Sequence, residues 1–136
     1  MEIRDLARVL VDTSVWIEFF RKNEPYYSIV TRLIDDEQVY YCGIILAELM
    51  QGAKSEKELA VLDDFTGVFP FIAETSRLWA TAGKLAFQLR RKGVTIGLSD
   101  CFIAVAAASV HAPVATLDSH FHLLAKPAKI VLYPLL

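Results

Sequence analysis

Four acidic side chains in this sequence stand where an acid needs a reason. Asp12 directly follows the apolar run Val9-Leu10-Val11 and precedes two hydroxyls, Thr13 and Ser14. Asp118 follows Val114 to Leu117 in the same way, and Asp100 comes just after Ser99 at the start of an alanine-rich segment. Glu48 is the only charge in Ile44-Ile45-Leu46-Ala47-Glu48-Leu49-Met50, a short helical stretch closed by Gly52. Burying a lone carboxylate costs on the order of several kcal/mol unless something pairs it.

Each acid has an ordinary explanation. Asp12 can cap a helix begun by Ser14 and Val15, Asp118 can cap the turn before Phe121-His122-Leu123, and Asp100 can answer a helix dipole. Glu48 can pair with Arg77 or Arg90. Gathered at one place, the four carboxylates would instead repel. A shared Mg²⁺ or Mn²⁺ removes that repulsion, takes carboxylate oxygens in octahedral geometry and leaves positions for water and phosphate oxygens. Such ions generate a hydroxide nucleophile, polarise the scissile phosphorus and neutralise the departing oxygen of an in-line attack. The chemistry is phosphodiester hydrolysis, and it needs no nucleophilic side chain. The sequence offers none: it has no elbow around a serine, no Cys/His pair at telling positions and no glycine-rich phosphate loop.

Whether the acids meet depends on the elements that carry them. Apolar runs rich in valine, isoleucine and tyrosine at Val9 to Val11, Gln38 to Cys42, Val68 to Ile72, Val114 to Leu117 and Ile130 to Tyr133 are strand candidates. Helical patterns lie between them. Trp16, Phe19 and Phe20 repeat at i, i+3, i+4, and Pro25 suits the first turn of a helix through about Asp36. Thr75 or Ser76 can cap a long helix with inner stripe Leu78, Ala82, Leu85, Ala86 and Leu89, stopped at Gly93. A further helix starts near Ser99, with a small-residue face of Ile103, Ala104, Ala107 and Ala108, and is broken by His111-Ala112-Pro113.

Strands alternating with helices imply an α/β fold of three layers around a central parallel sheet, because parallel neighbours need crossover connections. In such sheets the working crevice lies beyond the carboxyl ends of the strands. Asp12 and Asp118 then stand at strand exits on one edge, and Asp100 in the first turn of a helix that faces it.

The 136 residues, 54% hydrophobic and 22% charged, suit one compact domain over residues 1–136, without linker, repeat or low-complexity tract. The most membrane-like segment, Cys101 to Leu117, contains Ser109, His111 and Pro113 and is bracketed by Asp100 and Asp118, so it reads as buried core and no membrane is expected. No secretory signal opens the chain, and Cys42 and Cys101 have neither disulfide nor zinc-ligand spacing, so a cytoplasmic location is expected. A net charge of −2 carries no global sign of nucleic acid. The basic groups Arg21-Lys22 and Arg90-Arg91-Lys92 read as solvated faces, the second at a helix C-terminus that favours cations.

Four stretches, VDTSVWIEFFR, LAELMQGA, LSDCFIAVAAA and VATLDSHF, closely resemble in this order the PIN-domain ribonucleases, in particular the VapC-type toxins of type II toxin-antitoxin pairs. The likeness spans nearly the whole chain. It implies a PIN-like parallel sheet flanked by helices, a catalytic quartet of Asp12, Glu48, Asp100 and Asp118, and Asp12 and Asp100 as principal ligands of Mg²⁺, with Mn²⁺ as the alternative ion. It makes Ser14 the small polar support of the first aspartate. It further implies endonucleolytic cleavage of RNA, a homodimer, and silencing by a cognate antitoxin protein, whose basic segment would suit an acidic groove.

The chain departs from the family at the last motif, where His120 occupies a position often held by a second acid. His120 and His122 could form an additional polar pair over the scissile phosphate, but in a short exposed segment they read as solvated and are given no role. A phosphatase of the haloacid-dehalogenase type would need an acid where Ser14 stands. A response-regulator receiver would need an acidic pair at Asp12 and a lysine near Asp118, and both are absent. The remaining alternative is a non-catalytic PIN-like scaffold that binds a protein partner, with the apolar tail Val131 to Leu136 covering a core edge or subunit interface.

Overall fold

A computed structural model describes residues 8–135. Its centre is a parallel sheet of β1 (Val9–Val11), β2 (Val39–Tyr40) and β3 (Val114–Ala115) in the order β2-β1-β3. Val9 lies opposite Val39, Leu10 opposite both Tyr40 and Val114, and Val11 opposite Ala115. All three residues of β1 are buried. A central parallel strand is covered on both faces, which is why its sequence is apolar without alternation.

The runs Val68 to Ile72 and Ile130 to Tyr133, expected as strands, each shrink to a single parallel bridge, Tyr41 with Phe71 and Val114 with Leu132. They extend the sheet at its two edges: Ile72 N–H donates to Tyr41 O at 3.0 Å, and Tyr133 N–H to Val114 O at 2.8 Å. Val68 itself belongs to a short helix. Pro70 and Pro134 have no N–H to give, which keeps both edge segments short.

The helices are α1 (Thr13–Phe20), α2 (Tyr26–Asp35), α3 (Gly43–Gln51), α4 (Glu56–Asp63), α5 (Phe65–Val68), α6 (Ser76–Arg91), α7 (Leu98–Ser109) and α8 (His120–Ala128). They cover both faces of the sheet, giving the expected three-layer α/β/α arrangement. Thr75 Oγ1 caps α6 by accepting from Leu78 N–H at 3.1 Å. Gly93, at φ +85°, closes that helix, with Gly93 N–H on Arg90 O and Val94 N–H on Leu89 O, both at 2.9 Å. That paired closure uses a left-handed residue, hence glycine.

Helix α7 is buried continuously from Cys101 to Ala107 and packs against α6, α8 and α3, an approach its alanines permit. The membrane-like segment is thus core helix, turn and strand. Among the described residues no helix is long and apolar enough to cross a membrane.

Helices α4 and α8 were not expected. α4 buries Leu62 and offers little apolar periodicity, whereas α8 is short and contains Pro127 in its last turn, although Phe121, Leu124, Ala125 and Ala128 share one face against the core. α4 is started by polar groups instead. Ser55 Oγ accepts from Glu58 N–H at 3.1 Å, and Glu58 Oε1 accepts from Lys54 N–H at 2.8 Å.

Candidate active site

The carboxyl edge of the sheet is assembled by strand pairing carried to its last residue. Asp12 N–H donates to Ala115 O at 2.9 Å, so the exits of β1 and β3 run side by side. Asp12 then opens α1 with an extended backbone, its carbonyl accepting from Val15 and Trp16 N–H at 3.0 and 3.1 Å. Its side chain makes no cap. The carboxylate, in a residue only 4% exposed, turns to two hydroxyls: Ser14 Oγ and Thr116 Oγ1 each donate to Asp12 Oδ2 at 2.8 Å. The capping explanation therefore fails for this side chain.

Each hydroxyl also accepts a main-chain N–H from the β3 exit, Leu117 N to Ser14 Oγ at 2.9 Å and Asp118 N to Thr116 Oγ1 at 3.0 Å. The same pair thus orients the first acid and shapes the loop that presents Asp118. Thr116 was missed in the sequence. Its signal is a hydroxyl at a strand exit, two residues ahead of an acid.

Asp100 sits in the first turn of α7, half-buried. Burial pushes its carboxyl above the usual carboxylate range, and the charges of Asp118 and Asp12 push the same way; a hydrogen bond with His120 opposes them. His120 Nδ1 lies 3.2 Å from Asp100 Oδ2 and 3.5 Å from Asp118 Oδ1. Asp118 Oδ1 in turn accepts the backbone N–H of His120 at 2.9 Å, so the helix-start explanation does hold for this acid.

The reading of His120 as merely solvated is thereby corrected. The side chain is half exposed, yet its ring meets two acids because α8 begins at this residue. His122 stays exposed on the same helix. Asp100, Asp118 and His120 each offer one ligand atom, all within 4.8 Å of one another. Ligands on one ion about 2.1 Å away lie within about 4 Å of each other, so this donor set fits a divalent cation after slight closure.

Asp12 and Glu48 lie outside that tight group. Glu48 is half-buried on α3, and its Oε1 accepts from Thr13 Oγ1 at 2.8 Å. Its partner is therefore the residue next to Asp12, not Arg77 or Arg90. It also lines a cleft of about 280 Å³ with Ile17, Phe20, Arg21, Lys54 and Val61.

The start of α3 is fixed by another acid, Glu74, whose Oε2 accepts from Gly43 N–H at 2.6 Å. A Cβ at position 43 would stand 2.6 Å from that oxygen, so the contact needs glycine. Burial pushes the neighbouring Cys42 thiol up to about 12, with Glu74 and Asp12 adding to the effect. A thiol held in that state is no nucleophile at neutral pH.

The PIN domain family model matches residues 9–127 of this sequence. The chain belongs to the PIN domain family. Among curated relatives it is 27% identical over 123 residues to the VapC ribonuclease Mb1587 of Mycobacterium bovis, covering 87% of this chain and 92% of that protein. It is 28% identical over 120 residues to ribonuclease VapC1 of Methanocaldococcus jannaschii, covering 87% and 82% respectively.

Among solved structures, VapBC2 from Rickettsia felis bound to a DNA fragment from their promoter superposes with a TM-score of 0.73 at 24% identity, over 92% of this chain and 96% of that one. DNA-bound VapBC from Salmonella typhimurium gives 0.73 at 24% identity over 94% and 98%. These structures share the fold of this chain.

Proposed function

We propose that this PIN domain is a Mg²⁺-dependent endoribonuclease and the toxin of a type II toxin-antitoxin pair. One observation carries the reading: acids from separate stretches of the chain converge on the carboxyl edge of a PIN sheet, and the first of them is aimed by dedicated hydroxyls rather than spent on capping. The relatives named ribonuclease and the neighbours solved as VapBC complexes support it.

Asp12 and Asp100 would hold the first ion, while Glu48 and Asp118 would orient water or a second ion. Bound Mg²⁺, with Mn²⁺ as its substitute, supplies an activated water and charge neutralisation at phosphorus. The protein supplies direction. Ser14 and Thr116 keep the Asp12 carboxylate from rotating, which is the preorganisation a charged transition state rewards. Thr13 performs the same service for Glu48. Asp100, burdened by burial and by neighbouring acids, is the group that gains most from a cation.

The substrate is RNA, the working form a cytoplasmic homodimer, and the silencing partner an antitoxin protein. The cleft beside Glu48 suits that partner through its apolar wall of Ile17, Phe20 and Val61.

Induced expression in bacteria tests the reading. Wild-type protein arrests growth and generates new RNA 5′ ends at defined positions, whereas Asp100→Asn does neither. Arrest that persists in the Asp100→Asn strain contradicts a catalytic toxin.

A further inference from the structure

We propose that His120 is a direct ligand of a second ion, one that Asp118 shares with Asp100, and that it raises the affinity of that position for first-row transition ions such as Mn²⁺ relative to Mg²⁺. The inference rests on the metal-dependent reading above and adds to it a residue and an ion class.

Three observations lead to it. The ring atom that faces the site is Nδ1, 3.2 Å from one carboxylate and 3.5 Å from the other, so an ion shared by Asp100 and Asp118 meets a nitrogen as its third donor. The root of the side chain is fixed, because the His120 N–H is held by Asp118 Oδ1 at 2.9 Å at the start of α8. And the ligand atoms that crowd together are those of Asp100, Asp118 and His120, with Asp12 outside the group.

Ligand chemistry then decides the ion. Mg²⁺ demands near-ideal octahedral oxygen surroundings and dehydrates reluctantly, whereas imidazole nitrogen suits the transition ions. A set of two carboxylates and one imidazole therefore discriminates against Mg²⁺ where an all-carboxylate set would not. His120 could instead serve as a donor that orients Asp100 through the 3.2 Å contact and never touch the ion.

Pulsed EPR on full-length protein loaded with Mn²⁺ separates the two, because a bound nitrogen imprints ¹⁴N modulation on the manganese signal. The expected result is ¹⁴N modulation in wild type and in His122→Ala, and none in His120→Ala. Titration calorimetry with each metal alone should find His120→Ala weakening Mn²⁺ binding on the order of tenfold and Mg²⁺ binding clearly less. The half-exposed side chain allows the variant to fold, which its melting curve checks.

Bound Mn²⁺ without ¹⁴N modulation overturns the inference, as does an equal loss for both metals. Absence of any Mn²⁺ or Mg²⁺ binding by wild type fails the metal-dependent reading itself, so the two failures are distinct.

Discussion

Thr116 Oγ1 donates to Asp12 Oδ2 at 2.8 Å across 104 positions of sequence and accepts the amide of Asp118 at 3.0 Å. One hydroxyl therefore couples the acids at two neighbouring strand exits. Its removal should disturb both.

Thr116→Val keeps the shape and deletes the donor. It leaves a buried carboxylate short of one partner, which costs about 1–3 kcal/mol, and it frees the Asp118 loop. The expected outcome is a lower urea midpoint and a drop in RNA cleavage of roughly 10- to 100-fold, with Thr116→Ser restoring most of both. Cleavage by the valine variant at the wild-type rate would remove Thr116 from the account.

Asp100 sets a pH dependence whose sign is opposite to that of a salt-bridged acid. Its folded-state carboxyl is raised above the ordinary 3.8, so the folded state holds the proton more tightly than the unfolded state does. The metal-free protein then loses stability as pH rises through the folded value, and the loss vanishes below the unfolded value. Asp100→Asn should melt higher than wild type at neutral pH without metal, and the gap should close on acidification. Added Mn²⁺ should raise the wild type and not the variant. A variant that melts lower than metal-free wild type at neutral pH would contradict the burial and repulsion assigned to Asp100.

The start of α3 makes a separate prediction. Gly43→Ala pushes aside the Glu74 carboxylate, the mobile end of a side chain, so the expense is the charge-assisted hydrogen bond rather than a backbone clash. A loss of about 1.5–3 kcal/mol follows. Glu74→Ala should add little on top of it, since both changes delete the same contact. Full additivity in a denaturation double-mutant cycle would show that the contact contributes nothing.

What the sequence disclosed and what it hid divide along physical lines. β1, α6 and α7 were readable because each buries a continuous or periodic apolar set, Val9 to Val11 in the strand and Ala82, Leu85 and Leu89 in the long helix. The acids were visible for a related reason, since a charge directly after an apolar run is conspicuous.

The hydroxyls that orient those acids were not, because a threonine at a strand exit is ordinary until its partner arrives from a hundred residues away. Ser14 entered only through family likeness, and Thr116 not at all. His120 was misread because its meaning depends on α8, a nine-residue helix with Pro127 in its last turn, whose apolar face of Phe121, Leu124, Ala125 and Ala128 was not read as a helix. The ordinary explanation open to Glu48 was an arginine partner; the Thr13 hydroxyl and a cleft supply its surroundings instead.

The central claim is that a cation held by this acidic edge performs RNA hydrolysis, and single-turnover cleavage of a structured RNA by purified protein tests it most directly. Wild type with Mg²⁺ should cut at defined sites, while wild type with EDTA, and Asp12→Asn with Mg²⁺, should fall by at least about 100-fold, the scale on which removal of a single charge-stabilising group acts. Equal cleavage in all three reactions would contradict it.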